Sequence, residues 1–296
     1  MDMPNRPSRK SCLIGDITLS YVERHSDLRG RGKTLFLSHA TGFHARVWDP
    51  VIACLPPVHS ICVDLRGHGH STGGPFDHWH VIAEDLAALL DMLDLRDIVG
   101  IGHSISGHAL TQATSMRPDR VAALVLIDPV IMDPEFYETG ARIMQAVGLH
   151  PAALRKRDFT GPDEMFARFR DRSPYALFTP EALHAYCDHA LRPDGEGGLT
   201  LACAPETEAA AYMAAFSNPA IFDHVARVAC PVCVLRSDPF DLQTMHDFTR
   251  SPTWPGLAAT FPDGTDIQRP DLTHFMPMQA PDFVAAEIAH AAGLTA

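Results

Sequence analysis

Six consecutive residues, Gly102-His103-Ser104-Ile105-Ser106-Gly107, place a serine where a predicted strand ends and a predicted helix begins. A nucleophile at such a turn stands above the edge of a sheet in a strained backbone, which requires small residues two positions away on either side. Gly102 meets this requirement, and Ser106 stands where a second glycine is usual. The dipole of the following helix favours negative charge near the serine. The pattern predicts that Ser104 is the nucleophile of a covalent mechanism.

Two further segments could complete that chemistry. His39-Ala40-Thr41-Gly42 follows the predicted strand 34–38, and its glycine turn lets a backbone N–H point into a cleft. The N–H groups of Thr41 and Ile105 would together form an oxyanion hole. His274 lies between the last predicted strand and the last predicted helix. A general base in that loop can reach the serine from the C-terminal edge of the sheet.

These residues can meet only if a sheet brings the ends of several strands together. The sequence has the alternation of strand and helix patterns that predicts such a sheet. Short apolar runs predict strands, and apolar residues at helical spacing predict helices. Strands are predicted at 13–22 (a strand or hairpin), 34–38, 61–64, 97–102, 121–127, 232–236 and 257–261, and helices at 79–93, 107–116 and 281–290. This alternation indicates an α/β fold with a mostly parallel, doubly wound sheet and helices on both faces.

The strand–helix alternation is interrupted from Asp133 onward. Residues 133–216 have helical patterns with Gly-Pro and Pro-Asp-Gly breaks, and no strand–helix pair recurs there. We therefore predict an α/β core formed by residues 1–132 and 217–296, with an all-helical cap over 133–216 that covers the cleft and sets specificity.

Four motifs in this order resemble the α/β-hydrolase fold superfamily over essentially the whole chain. They are His39-Ala-Thr-Gly42, Asp64-Leu-Arg-Gly-His-Gly-His-Ser71, Gly102-His-Ser-Ile-Ser106 and His274-Phe-Met-Pro-Met-Gln-Ala-Pro281. Each motif is weak alone, but their order and their positions at strand ends make a chance match improbable. Stretches within 183–209 are also similar to the helical lid of a bacterial serine hydrolase, esterase-like subgroup.

The resemblance implies a Ser…Asp…His triad in that chain order. The acid should follow the strand 232–236, where Asp238 comes early for a side chain that must clear the strand end. Asp241 lies where relatives place their acid, so we favour Asp241 over Asp238. Asp128, at the end of an earlier strand, is a third candidate because some relatives carry the acid there. The acid would fix the tautomer of His274 and stabilise its imidazolium form.

Three residues beside these motifs are candidate substrate contacts: Phe43, His44 and His103. His103, next to the nucleophile, also fits the description of a packed side chain that bridges two loops. An alternative interpretation is that Ser104 is an ordinary turn serine, but that interpretation leaves His274 and the Thr41 turn unexplained.

The predicted function is a serine hydrolase that cleaves small, hydrophobic esters or lactones through an acyl-enzyme. One alternative keeps the triad and cleaves a C–C bond of a diketone. Another is a non-hydrolytic ligand-binding or cofactor-free tailoring protein, because function lies in the site and not in the scaffold.

Composition and the absence of certain motifs argue against several other classes of protein. The chain of 296 residues has 24 Lys and Arg against 36 Asp and Glu, a net charge of −12 that argues against nucleic-acid binding. The sequence contains no H-E-x-x-H pair, P-loop or dinucleotide fingerprint, so we predict no metal and no cofactor, and the expected partner is a small acyl or ester substrate. The basic N-terminal segment lacks an apolar h-region, and no apolar run approaches a membrane span, so we expect a cytoplasmic protein without a membrane partner.

Overall fold

The computed structural model describes residues 7–241, 244 and 247–294. Residues 1–6, part of the basic N-terminal segment considered above, lie outside the described residues. Within the described ranges, no helix has both the length and the apolar character needed to cross a membrane.

Strands and helices alternate along the core as predicted. The strands are β1 (Ser8–Ile14), β2 (Ile17–Arg24), β3 (Thr34–Ser38), β4 (Ser60–Val63), β5 (Ile98–His103), β6 (Val121–Ile127), β7 (Asp158–Phe159), β8 (Leu191–Pro193), β9 (Leu199–Leu201), β10 (Val232–Arg236) and β11 (Gly264–Gln268). The helices are α1 (Asp49–Ala53), α2 (His80–Met92), α3 (Ile105–Met116), α4 (Phe136–Val147), α5 (Pro162–Phe169), α6 (Pro180–Cys187), α7 (Pro205–Met213), α8 (Ile221–Val225), α9 (Met276–Gln279) and α10 (Pro281–Ala292).

Eight strands form the main sheet, in the order β1-β2-β4-β3-β5-β6-β10-β11. The β1–β2 hairpin and the β2–β4 pair are antiparallel, and every other pair is parallel. The central strands are almost entirely buried, which explains their continuous apolar runs, because helices cover both faces of a parallel sheet. The predicted α/β fold is confirmed.

The strand predicted at 257–261 is wrong. Residues Ala258–Thr260 form a 3₁₀ turn, and the strand that follows β10 is Gly264–Gln268. Leu257 and Phe261 are buried against the core from either side of that turn, which gave the segment its apolar pattern. β11 lies at the edge of the sheet and is largely exposed, so its sequence is too polar to resemble the buried strands.

The expectation of an all-helical cap also needs correction. Residues 133–216 contain the helices α4 to α7 together with a second antiparallel sheet in the order β7-β9-β8. Its strands have two or three residues each, which is too short to show alternation of apolar and polar side chains. The turn between β8 and β9 is stabilised by the Asp194 carboxylate, which accepts hydrogen bonds from the N–H groups of Glu196 and Gly198. The boundaries at 133 and 216 stay a prediction.

Several histidines are buried in the core without charge. Burial lowers the pKa of five of them to about 3 or about 4: His39, His44, His68, His103 and His108. An unfolded chain binds these protons below about pH 6.5, whereas the folded chain binds them only at a much lower pH. The free energy of unfolding is therefore expected to fall as the pH decreases from about 6.5 towards about 4.

Replacement of His68 by asparagine tests this account. The Nδ1–H of His68 donates to the Arg66 carbonyl oxygen at 2.8 Å, a bond that an asparagine amide can imitate without a titrating ring. In His68→Asn, the slope of the free energy of unfolding against pH should decrease by up to about 1 kcal/mol per pH unit within that interval. Urea unfolding at several pH values measures the slope. His290→Asn, which removes an exposed histidine, is the control, and equal slopes in both variants would contradict the prediction.

Candidate active site

Ser104 occupies a strained turn at the C-terminal end of β5. Its backbone angles are φ 60° and ψ −121°, in the left-handed region that residues other than glycine rarely adopt. The Ser104 N–H donates to the Ile127 carbonyl oxygen at 3.0 Å, and its own carbonyl oxygen accepts from the N–H of Gly107 at 3.0 Å and of Val130 at 3.2 Å. These bonds fix the strand–turn–helix geometry predicted from the sequence.

Ser106, which stands in place of a glycine, has a structural role in this turn. Its hydroxyl lies 2.8 Å from the Ser38 hydroxyl and donates to the His39 carbonyl oxygen, so it joins the beginning of α3 to the end of β3. Gly102 allows the close approach, because a Cβ there would lie 2.6 Å from the Ser106 carbonyl oxygen. A serine side chain therefore fits where the usual pattern has a second glycine.

His274 pairs with Asp128. The ring Nδ1 of His274 lies 3.3 Å from Oδ2 of Asp128, whose side chain is completely buried. The histidine is held from its backbone as well, because its N–H donates to the Thr249 carbonyl oxygen and its carbonyl oxygen accepts from Nε2 of His103, both at 2.8 Å. Nδ1–H donates to the carboxylate, which leaves Nε2 as the nitrogen that can accept a proton.

The Asp128 carboxylate accepts three more hydrogen bonds. The Ser237 N–H and hydroxyl donate at 3.0 Å and 2.8 Å, and the Ser251 hydroxyl donates at 2.6 Å. Burial by itself would raise the pKa of Asp128, but the hydrogen bonds from His274, Ser251 and Ser237 bring it below its usual value. The carboxylate is therefore ionised at neutral pH despite its burial.

The favoured acid of the sequence analysis, Asp241, is not the partner of His274 in this structure. Asp241 is exposed, and its carboxylate accepts hydrogen bonds from the backbone and hydroxyl of Thr244. Asp238 is 44% exposed and lies 3.5 Å from Arg250. The loop after β10 contributes hydroxyl donors to the site, and the carboxylate comes from the end of β6.

Strand register accounts for the position of Asp128. His103 of β5 pairs with Ile127 of β6, so the next residue of each strand, Ser104 and Asp128, stands at the same edge of the sheet. Asp128 also has a positive φ, 41°, which aspartate tolerates better than most residues. The signal for it in the sequence is an aspartate that directly ends an apolar strand, as Ser104 does on the neighbouring strand.

One predicted oxyanion donor, Thr41, is in the loop after β3, and the other, Ile105, directly follows Ser104. Thr41 lines the same cavity as Ser104 and His274, and Ile105 is the first residue of α3, where a helix leaves its N–H groups without intrahelical partners. Across residues 7–241, 244 and 247–294, neither of these two N–H groups donates to another protein group. Both remain available to a ligand oxygen.

A cavity of about 170 Å³ opens above these residues. Its core-side wall includes Ser104, Thr41 and His274, and the segment 133–216 supplies the opposite wall. Most of its lining is apolar, from Trp79, Val130, Met132, Phe136, Met144, Ala215, Phe216, Phe240, Phe248 and Pro252. The segment predicted as a cap thus contributes directly to the shape of the cavity.

The three predicted substrate contacts lie outside the cavity lining. Phe43 is buried with its ring 5.1 Å from that of Tyr186, and His44 stacks on the same tyrosine at 5.7 Å and bonds to its carbonyl oxygen. His103 is fully buried and bonds to the backbone of His274, as the packed alternative described. In this structure the three side chains pack against or bond to neighbouring segments, and substrate contact by them stays a prediction.

Comparison with known proteins agrees with this architecture. The family model of the alpha/beta hydrolase fold matches residues 33–251. Lipase LipV of Mycobacterium tuberculosis is 33% identical over 165 residues, which are 54% of this chain and 59% of the lipase. A putative esterase/lipase of Haemophilus influenzae is 37% identical over 76 residues, 26% of this chain and 25% of that protein. The chain thus spans less than two thirds of the length of either relative.

The likeness extends to solved structures. The crystal structure of E-2-(acetamidomethylene)succinate hydrolase superimposes with a TM-score of 0.72 and 20% sequence identity, covering 96% of this chain and 98% of that one. At this identity the superposition supports the fold alone. Together with the sheet order, the family match shows that this chain belongs to the alpha/beta hydrolase fold family.

Proposed function

We propose that this protein is a serine hydrolase that cleaves carboxylic esters with a short, apolar acyl chain. The observation that carries the proposal is the buried Asp128–His274 pair, whose histidine lines the same apolar cavity as the strained Ser104. The names of the relatives, a lipase and a putative esterase/lipase, support the same class of reaction.

In the proposed mechanism, Nε2 of His274 accepts the proton of the Ser104 hydroxyl as Oγ attacks the ester carbonyl. Asp128 keeps the ring in the required tautomer and stabilises the imidazolium that forms. The N–H groups of Thr41 and Ile105 stabilise the oxyanion of the tetrahedral intermediate. His274 then protonates the departing alcohol, and a water molecule activated by the same nitrogen hydrolyses the acyl-enzyme.

The size and lining of the cavity support a short acyl chain. A dry apolar cavity of about 150 Å³ in another protein holds one benzene molecule, which has six carbons. The cavity above Ser104 is about 170 Å³ and presents mainly aliphatic and aromatic side chains. Acyl chains of about four to six carbons therefore match its volume, and their burial supplies the binding energy.

Labelling with a fluorophosphonate tests the nucleophile. We expect one covalent adduct by intact mass on the wild type, none on Ser104→Ala, and hydrolysis of p-nitrophenyl butyrate only by the protein that labels. Ser115→Ala, a change of the same kind at a half-buried position near the end of α3 and outside the cavity lining, is the control and should label like the wild type. Ligand binding without labelling or turnover would instead favour a non-hydrolytic protein.

Replacement of each candidate acid by asparagine tests the assignment of Asp128. Asp128→Asn removes the charge opposite His274 and should lower kcat by about 10³–10⁴-fold, as the equivalent change does in serine proteases. Asp241→Asn and Asp238→Asn are matched controls that should retain the wild-type kcat, because neither carboxylate bonds to His274. A large loss of kcat in Asp241→Asn with retained activity in Asp128→Asn would refute the assignment.

A series of p-nitrophenyl esters tests the substrate class. We expect kcat/KM to be greatest for the butyrate or hexanoate and to decrease for the decanoate, which exceeds the cavity volume. Turnover of a vinylogous diketone is measured in parallel. A preference for the diketone over every ester would favour C–C bond hydrolysis by the same residues.

A further inference from the structure

The cap-side wall of the cavity contains a close contact that no catalytic role requires. Phe136, Gly140 and Met144 are spaced four residues apart on α4 and therefore share one face of the helix. Phe136 and Met144 line the cavity, and the ring of Phe216 fills the position between them, against Gly140. Phe216 itself lines the cavity.

Gly140 has no space for a side chain. A Cβ at this position would lie 2.2 Å, 2.4 Å and 2.5 Å from three ring carbons of Phe216. Glycine is less favourable than alanine inside a helix, and Gly140 does not have a positive φ that would require it. Its presence in the middle of α4 is therefore explained by the approach of the Phe216 ring.

The neighbours of Phe216 restrict where its ring can move. Phe136 lies edge-on at 5.7 Å between ring centroids, and Tyr137 lies edge-on at 6.1 Å. The cavity provides open space on another side of the ring. A side chain at position 140 would push the ring towards that space and reduce the room for an acyl chain.

We propose that the contact between Gly140 and Phe216 determines the acyl-chain length that the cavity accepts, which makes these two residues specificity-determining. This inference rests on the proposed function. It extends that function by assigning the limit on chain length to one contact in the cap.

The test compares the wild type with Gly140→Ala, Phe216→Ala and the double variant. The measured quantity is the ratio of kcat/KM for p-nitrophenyl hexanoate to that for the acetate, with the octanoate as a longer substrate. Gly140→Ala should lower the hexanoate-to-acetate ratio by about tenfold, the range expected when a pocket loses room for a methylene group or two. Phe216→Ala should raise the relative rate with the octanoate.

The double variant shows whether Gly140→Ala and Phe216→Ala act through their shared contact or independently of each other. Without the Phe216 ring, a methyl group at position 140 has no ring to displace, so the double variant should behave like Phe216→Ala. Gly161→Ala is the matched control, since a Cβ at Gly161 in the same segment would meet no atom within 4 Å. The proposal is overturned if Gly140→Ala has the same hexanoate-to-acetate ratio of kcat/KM as the wild type and Gly161→Ala. It is also overturned if the effects of Gly140→Ala and Phe216→Ala are additive in the double variant.

A binding measurement keeps this inference distinct from the proposed function and covers the case in which Phe216→Ala does not fold. Calorimetric titration of sodium hexanoate and sodium acetate into Ser104→Ala, with and without Gly140→Ala, should show that the added methyl group weakens hexanoate binding about tenfold and leaves acetate binding unchanged. If the wild type hydrolyses no ester but this difference is found, the proposed function fails and the role of the contact stands. Hexanoate binding that is absent, or equal with and without Gly140→Ala, overturns the inference.

Discussion

The site depends on one buried negative charge, the carboxylate of Asp128. A charge removed from water must be compensated by hydrogen bonds, since an uncompensated one would cost several kcal/mol. Four donors from His274, Ser237 and Ser251 meet this requirement, and they come from two loops, after β10 and after β11, that are distant in the chain from Asp128. The same bonds that keep the carboxylate ionised therefore fix the loops after β6, β10 and β11 relative to one another.

His274 is positioned through this arrangement and through its backbone. Its backbone N–H and carbonyl oxygen are both hydrogen-bonded, so these contacts fix the backbone of the loop independently of the imidazole ring. Burial lowers the pKa of His103 to about 3, which keeps that ring neutral while it supports the His274 carbonyl oxygen. A second cationic imidazole next to His274 would oppose the imidazolium that the proposed mechanism forms.

The segment between β6 and β10 supplies much of the apolar lining of the cavity. It adds Phe136, Met144 and Phe216 to the cavity that also contains Ser104 and His274. An apolar wall lowers the local dielectric and strengthens the electrostatic interactions on which the proposed oxyanion hole depends. The proposed function thus divides chemistry from selectivity, with the proposed reactive groups at the sheet edge and the proposed limit on acyl length in the segment predicted as a cap.

The sequence by itself determined the features that rest on local backbone patterns. The central strands, the helices α2, α3 and α10, the strained turn at Ser104 and the loop position of His274 follow from periodicity and turn residues within a few positions of each site. Only the tertiary structure decided that Asp128, and not Asp241, lies against His274, because strand register and the hydroxyls of distant loops select the carboxylate. It likewise decided that a small sheet belongs to the segment predicted as helical, and that Phe216 packs on Gly140, since contacts between residues far apart in the chain leave no periodic signal in it.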